Sequence, residues 1–512
     1  MTERPEPQPA DADARHAARS GAVQTLTILL QAVTSATQVV FARLFGPVIY
    51  GAYQAALAIL ELATRAAPAG ADKAMLRYVA GARAARDPEG VRRALGTGLR
   101  LGLAVSVVVG GALALGANWI AGALGLPSLA TGLRILAFAP PFTGVLIILI
   151  QATLAARVTR INFLVRGLME PILLLALGVT AWRVGGGLRG LLTAQLATGA
   201  IVAIIGAKAS RRVFRPEEMR DLWRAPRVPG FDRFALTVSA AEILNVAYQR
   251  ADVLIVTAYL GPKGAAVYAA AEFLTRVIAN IRYAFDAIVA GVMAESLQLN
   301  DHARLRYNLH LATRWVVSVA GVLAGAVIVL RRELLGGLYG PTYVAGSAAV
   351  ALLAISHFLN AALGLVGWVL VAGGRSRPAL LNNFLGAAFN VGASLLLVPR
   401  YGFLGAAWAA LGTTVVVQGA ALIQVALLER VSPFSLALWK PLSAAAAAFA
   451  AETVVHALRI PAGVRVAVVL ALGLVVYVGV LFATGLPPEE RRWVHALRRR
   501  LGFRASKRPR ER

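Results

Sequence analysis

Apolar residues in this chain come in unbroken runs of about 20, separated by short polar or glycine- and proline-bearing segments. A helix rises about 1.5 Å per residue, so each run is long enough to cross a hydrocarbon layer of roughly 30 Å. The runs predict about fourteen membrane-spanning helices, near 21–42, 50–70, 97–117, 133–155, 166–182, 188–207, 234–257, 265–291, 312–330, 345–372, 379–398, 403–427, 439–457 and 464–484. The expected fold class is therefore an all-α polytopic membrane protein. The first run is too long for the core of a signal peptide and reads as an uncleaved first span.

Shifting the sequence against itself by 215 residues superimposes Gly46-Pro47 on Gly261-Pro262 and Tyr53 on Tyr268. The same shift pairs Gly122 and Gly125 with Gly337 and Gly340, Gly190 with Gly405, and Ala194 with Ala409. Spans 1–6 thus map onto spans 7–12. Six is an even number, so the halves share one orientation and form two parallel six-helix lobes about an axis along the membrane normal. The chain divides into a 1–19 cytoplasmic segment, a 20–207 N-lobe, a 208–233 basic linker, a 234–427 C-lobe, a 428–486 segment holding spans 13 and 14 outside the repeat, and a 487–512 basic cytoplasmic tail. A cleft between the lobes is expected.

Composition changes this picture only through charge. The chain of 512 residues is 58% hydrophobic and 15% charged, below the roughly 25% of a soluble domain. A net charge of +27 on a soluble surface would suggest nucleic acid, but the positive residues are one-sided. They concentrate in 73–93, in 208–233 (Lys208, Arg211, Arg212, Arg215, Arg220, Arg224, Arg227 and Arg233) and after 487. An even span count puts all three on one face, which the positive-inside rule makes cytoplasmic, with both termini there. Nucleic acid is not an expected partner. The segment Met75 to Arg93 reads as a helix lying on that surface, and Arg491 to Arg512 as a lipid-contacting end. No cysteine is present, which removes disulfides, thiolate metal sites and cysteine catalysis.

A charged side chain at the bilayer centre costs about 2.5–3.5 kcal/mol on insertion scales, so intramembrane charges usually face partners, a cavity or a substrate path. Span 2 carries Glu61, Arg65 and, after Pro68, Asp72; span 8 carries Glu272, Arg276, Asn280, Tyr283 and Asp286. In both spans a glutamate precedes an arginine by four residues, close enough to pair along the helix. Span 7 adds Glu242, Asn245, Gln249 and Asp252, with Arg250 beside them, and span 1 supplies Gln24, Gln31, Thr34 and Gln38. Spans 1, 2, 7 and 8 are the expected cleft-lining helices. The competing reading is that each Glu/Arg pair neutralises itself and only helps helices pack. Asp252 and Asp286 serve equally as cation or proton sites or as partners of Arg250, Arg282 or another span. Glu170-Pro171 marks a kink in span 5, and His357, Asn360, Asn382, Asn383 and Asn390 serve either as cavity groups or as helix-to-helix hydrogen bonds.

No P-loop, HExxH, GxSxG or dinucleotide fingerprint occurs, and the predicted outer loops are all about 15 residues or fewer. An enzyme is not expected, nor a cofactor or metal. Any work done must then draw on ion gradients or on the substrate's own gradient.

The stretch Phe41 to Ala56, FARLFGPVIYGAYQAA, resembles the end of span 1 and start of span 2 in oligosaccharide flippases of the polysaccharide biosynthesis type. RADVLIVTAYLGPKGAAVYAAAEF from Arg250 to Phe273 is similar to that family's span 7 to span 8 segment, and YGFLGAAWA from Tyr401 to Ala409 to its entry into span 12. The resemblance runs over roughly residues 20 to 430. It implies the fold of the multidrug/oligosaccharidyl-lipid/polysaccharide exporter superfamily: two six-helix lobes in a V, plus two C-terminal helices, alternating between openings to the two sides of the cytoplasmic (inner) membrane. The implied cargo is a polyprenyl-diphosphate-linked oligosaccharide, with membrane lipids and other polysaccharide assembly proteins as partners. Under that reading the substrate-binding candidates are Arg65, Arg250, Arg276, Arg282, Glu61, Asn245, Gln249 and Asn280, the arginines offering planar forks to a diphosphate. The ion-coupling candidates are Glu242, Asp252 and Asp286. Two departures stand out: span 1 has no charged residue between Gly21 and Phe41, unlike peptidoglycan-precursor flippases, and lacks the acidic residue common there in drug exporters. The alternatives are a cation-coupled small-molecule exporter of the same superfamily and a membrane polysaccharide polymerase or ligase.

Overall fold

Runs rich in leucine, alanine and valine satisfy their own backbone hydrogen bonds as helices, which lipid demands, and the punctuation between them is set by glycine. The computed structural model describes residues 9–299, 301–373, 375–458 and 461–483, with side chains, isolated positions aside, from Val33 onward. The basic tail, the start of the N-terminal segment, and the side chains of Gln24, Gln31 and Tyr283 lie outside the described residues. The N-terminal half contains α1 (Pro9–Ala66), α2 (Ala71–Ala84), α3 (Pro88–Ala123), α4 (Leu129–Leu136), α5 (Ala139–Ala155), α6 (Glu170–Arg183) and α7 (Gly187–Arg211). The C-terminal half follows with α8 (Phe231–Gln298), α9 (His302–Val329), α10 (Ser347–Leu363), α11 (Leu365–Ala372), α12 (Ser376–Tyr401) and α13 (Phe403–Leu428). Last come α14 (Trp439–Ala457) and α15 (Ala462–Ala483).

Among the described residues no strand occurs, and eleven helical stretches are long and apolar enough to cross a membrane. Two of these run through a break: α1 at Gly46 (φ 73°) and α8 at Gly261 (φ 66°), each followed by a proline. α14, with Lys440 and Glu452 in it, is not among the eleven. The expected fourteen crossings would need each broken helix to count twice and α14 to cross as well.

The repeat is written into the backbone. Three pairs of glycines with left-handed φ stand 215 residues apart: Gly46 and Gly261, Gly125 and Gly340 (64° and 115°), and Gly187 and Gly402 (54° and 61°). A side chain at φ near +60° is strained, so both halves turn at the same places because only glycine turns there freely. The matching helices α1 and α8 then pack on one another along their length. At Gly51 the approach is so close that a Cβ would overlap the Pro262 carbonyl oxygen and lie 3.0 Å from the Ala266 amide nitrogen. Gly51 and Ala266 are themselves 215 residues apart, so this contact sits where the two halves meet their own equivalents.

One local expectation is corrected and two are given detail. The surface helix begins at Ala71 and ends at Ala84, with the chain turning through Arg86 (φ 54°) before Asp87 caps α3 by accepting a bond from the Gly90 amide at 2.8 Å. The kink at Glu170-Pro171 takes the form of a π-helical turn, Phe163–Met169, which widens just where the proline withholds its N–H. The linker is docked on the N-terminal half: Arg100 donates to the carbonyls of Trp223 (2.5 Å) and Ala225 (2.7 Å), and Arg83 donates to Glu218 (3.0 Å).

A polar cavity beside the seam between the halves

The α1–α8 seam changes character along its length. At the glycine-break end the charges are the exposed Lys263 and Arg43, whose Nε donates to the Leu338 carbonyl at 2.7 Å and whose guanidinium also reaches the Gly336 and Gly337 carbonyls. Tyr50 packs edge-on against Tyr343 there, with ring centroids 6.4 Å apart, and the Tyr343 hydroxyl donates to the Ala42 carbonyl at 3.4 Å. Towards the other end the ties are ionic. Arg250 Nε lies 2.6 Å from Glu61 Oε2, Arg65 pairs with Glu242, and Lys73 lies 3.8 Å from Glu242. Below them a Cβ at Gly70 would overlap the Ala235 carbonyl, so the two backbones are in contact again.

Beside the ionic stretch lies a cavity of about 650 Å³. α8 supplies Asn245, Gln249, Arg250, Asp252, Glu272, Arg276 and Arg282; α10 supplies Ser356, His357 and Asn360; α12 supplies Asn383 and Asn390; and α13 supplies Thr413, Thr414 and Gln418. Glu61 is the single lining residue from the N-terminal half among those described. Many of these groups hold one another in place. Tyr268 donates to Asp252 Oδ2 at 2.6 Å, Gln249 donates to Asn245 at 2.7 Å, Gln418 donates to Asn360 at 2.8 Å, and Ser356 and Thr414 share a bond of 2.8 Å. His357 Nε2 and Asn390 Oδ1 are buried with no hydrogen-bond partner in the protein. A buried polar atom left unbonded costs about 1–3 kcal/mol, so this wall is built to bond something polar.

The structure brings most candidate residues together and redistributes the rest. Glu61, Arg250, Arg276, Arg282, Asn245, Gln249 and Asp252 line the cavity; Arg65, Glu242, Asn280 and Asp286 do not. Arg65 and Glu242 are bound to each other across the seam, with Asp72 3.8 Å from Arg65, and Asp286 lies 3.8 Å from Arg282 one turn away. The helical pairing expected of Glu61 with Arg65 is replaced by two inter-half pairs, because the neighbouring α8 offers Arg250 and Glu242 at closer range. The other such pair, Glu272–Arg276, does form along the helix.

Of spans 1, 2, 7 and 8, expected to line a cleft, spans 7 and 8 form one wall of the cavity as α8, span 2 adds Glu61, and span 1 supplies none of the described lining residues; α10, α12 and α13 form the other walls. Span 1 places Gln38 in a bond from Gln54 (2.8 Å) rather than in the cavity. Of the alternatives left open in spans 10 and 11, His357, Asn360, Asn383 and Asn390 line the cavity, while Asn382 exchanges two 2.8 Å bonds with Gln424. Ser356, Thr413, Thr414 and Gln418 were not foreseen. Lone small polar residues in apolar runs carry little signal, although Thr413, Thr414 and Gln418 do fall at helical spacing.

The class of protein is now defined. Solved structures with this fold include a lipid II flippase, MurJ, in its inward closed conformation (TM-score 0.72, 13% identity, covering 89% of this chain and 97% of that one). They also include a multidrug resistance MATE family transporter of the MOP superfamily in an inward-facing conformation (0.61, 15%, 80% and 99%) and a MATE transporter from Vibrio cholerae (0.57, 16%, 80% and 98%). At these identities the likeness is one of fold: an all-helical, multi-pass membrane protein with the architecture of flippases and transporters. Within that class, a family described as "Polysaccharide biosynthesis protein" matches residues 40–347, and the chain belongs to it. A search of curated protein sequences found no match.

Proposed function

We propose that this protein moves a polyprenyl-diphosphate-linked oligosaccharide across the cytoplasmic membrane by alternating access, for surface polysaccharide export. The observation that carries the reading is the cavity: three arginines, several amides and hydroxyls, and unbonded buried polar atoms, inside a membrane-embedded fold and next to a seam between two like halves. A few sugars carry on the order of ten hydroxyls, each costing several kcal/mol to strip of water, so unaided crossing is too slow to be useful. A wall of amides and hydroxyls replaces those lost bonds, and guanidinium forks suit a diphosphate. Membership in the polysaccharide biosynthesis family and the fold shared with a lipid II flippase support the same cargo class. The basic faces at 73–93 and 208–233 belong in the cytoplasm under this reading, with both termini on that side, and no catalytic step on the cargo is proposed.

Of the three carboxylates considered for ion coupling, Asp252 is the one that lines the cavity, whereas Glu242 and Asp286 are engaged by Arg65 and Arg282. One charge crossing 100 mV yields about 2.3 kcal/mol, which makes Asp252 the candidate through which a gradient drives the cycle.

Reconstituted protein should move a fluorescent polyprenyl-diphosphate sugar between leaflets without altering it. No movement above protein-free vesicles would reject the reading, and a chemically altered product would mark an enzyme. A second reading, cation-coupled export of a small molecule, is favoured by the fold shared with multidrug transporters; drug efflux without lipid movement would establish it instead.

A further inference from the structure

Arg250, the best-placed cation of the cavity, already holds an anion supplied by the chain. Its Nε lies 2.6 Å from Glu61 of α1, and its Nη1 lies 3.8 Å from Glu272, which is bonded in turn by Arg276. Two guanidiniums and two carboxylates therefore alternate in a row, but the two carboxylates are not equivalent. Glu272 is 14% exposed and belongs to the same half as both arginines, whereas Glu61 is 46% exposed and reaches in from the other half. Removing Glu272 from the row would strand a buried carboxylate; removing Glu61 would return a half-hydrated one to water. An incoming anion can therefore replace Glu61 and leave no buried charge alone. Because Glu61 rides on α1 and Arg250 on α8, the bond that is exchanged is also a tie across the seam, the first of the ionic stretch that continues through Arg65–Glu242 and Lys73–Glu242.

We propose that Glu61 is an exchangeable internal occupant of an anion site centred on Arg250 and Arg276, and that a diphosphate-class anion takes its place and so unties the two halves at this level. Loading of the cavity and loosening of the seam become one event. The proposal rests on the reading above for the identity of the anion and for nothing else.

Inorganic pyrophosphate is a suitable probe, used with the purified full-length protein in lipid nanodiscs. By calorimetry E61Q should bind pyrophosphate about tenfold more tightly than wild type, since a competing charged partner is gone while the shape is kept. Unchanged or weaker binding by E61Q would overturn the exchange. The chain has no cysteine, so spin labels can be placed at A84C and L299C alone, both exposed and at equivalent places in the repeat. Pyrophosphate should lengthen the distance between them, and E61Q should show the longer distance without pyrophosphate. An E61Q distance distribution superimposable on that of the probe-free parent would overturn the tie. E89Q, which removes a surface carboxylate paired with Arg92, should match wild type in both measurements. Neither readout needs a glycolipid: exchange intact with no glycolipid movement sinks the cargo and leaves this proposal standing, and movement intact with neither effect in E61Q does the reverse.

Discussion

The two halves use one scaffold for different chemistry, and the clearest comparison is the pair of broken helices. In α1, Gln54 donates to Gln38 across the Gly46 corner, and Tyr53 donates to Gln195 at 2.8 Å. In α8, Tyr268, the equivalent of Tyr53, donates across the Gly261 corner to Asp252, and Arg250, Glu272 and Arg276 crowd the same level. Both pairs bridge residues 16 apart, one position out of the 215-residue register (Gln38 and Gln54 correspond to Val253 and Ala269), so a bridge over the corner is shared. The ionic side chains are not. Corner and packing are properties of the duplicated fold, while the cavity is a property of the C-terminal copy, to which the N-terminal copy lends Glu61.

The widest gap between the copies is expected in transport. R250A leaves Glu61 without its cation and Glu272 with Arg276 alone, and should lower glycolipid movement at least tenfold in a leaflet assay, whereas the Q38L/Q54L double variant should stay within about twofold of wild type. Equal losses in the two would erase the distinction. Next in size is G51A, which pushes a methyl group into the Pro262 carbonyl and should destabilise the folded protein by about 1–3 kcal/mol, while A266G on the facing helix of the seam costs about 1 kcal/mol or less. Thermal unfolding in detergent compares the two.

A smaller effect is expected away from the seam, where Glu333, between α9 and α10, accepts 2.8 Å bonds from Arg465 and His456 and so clasps α14 and α15 to the rest. Burial on its own would raise the Glu333 carboxyl, but its backbone hydrogen bond together with Arg465 and His456 holds it below the ordinary value of 4.5. A carboxylate lowered on folding contributes stability that is complete above its unfolded pKa and lost as pH falls through the folded one. Glu333 should thus add nothing to the pH dependence between pH 6 and 9, and E333Q should cost about 1 kcal/mol at pH 7 and progressively less below pH 4.5. The least effect belongs to the neutral amide pair itself: Q38L/Q54L replaces both partners with apolar groups of similar shape and should change stability by less than about 1 kcal/mol.

Much of the architecture was legible because lipid leaves the backbone few options. Twenty apolar residues must be a helix, and a glycine-proline pair recurring at a fixed interval must be a repeated corner. The cavity was legible in part. Arg250, Asp252, Glu272 and Arg276 could be singled out because a charge in an apolar run is conspicuous, but which neighbour each would meet depends on how α1 lies on α8. Glu61 and Arg65 sit one turn apart in sequence, yet each is answered from the opposite helix. Thr413, Thr414 and Gln418 were silent for the opposite reason: small hydroxyls and a single amide are cheap in a helix that bonds its own backbone, so only the fold reveals that they face a common space. The emptier contribution of span 1 could not be read at all, because Gln38 finds its partner in Gln54 through a corner whose angle the sequence does not state.

The contact of Gly51 with Ala266 bears on where such a molecule comes from. When a residue touches its own repeat equivalent, it lies on the axis relating the copies, as in a symmetric dimer of separate chains. At that point the copies approach so closely that a methyl group at residue 51 would meet the Pro262 carbonyl and the Ala266 amide; here one copy carries alanine and the other glycine. Fusion of the copies into one polypeptide is what makes such a division of labour heritable. A homodimer would have to place the same residue on both sides, and with it the same charges.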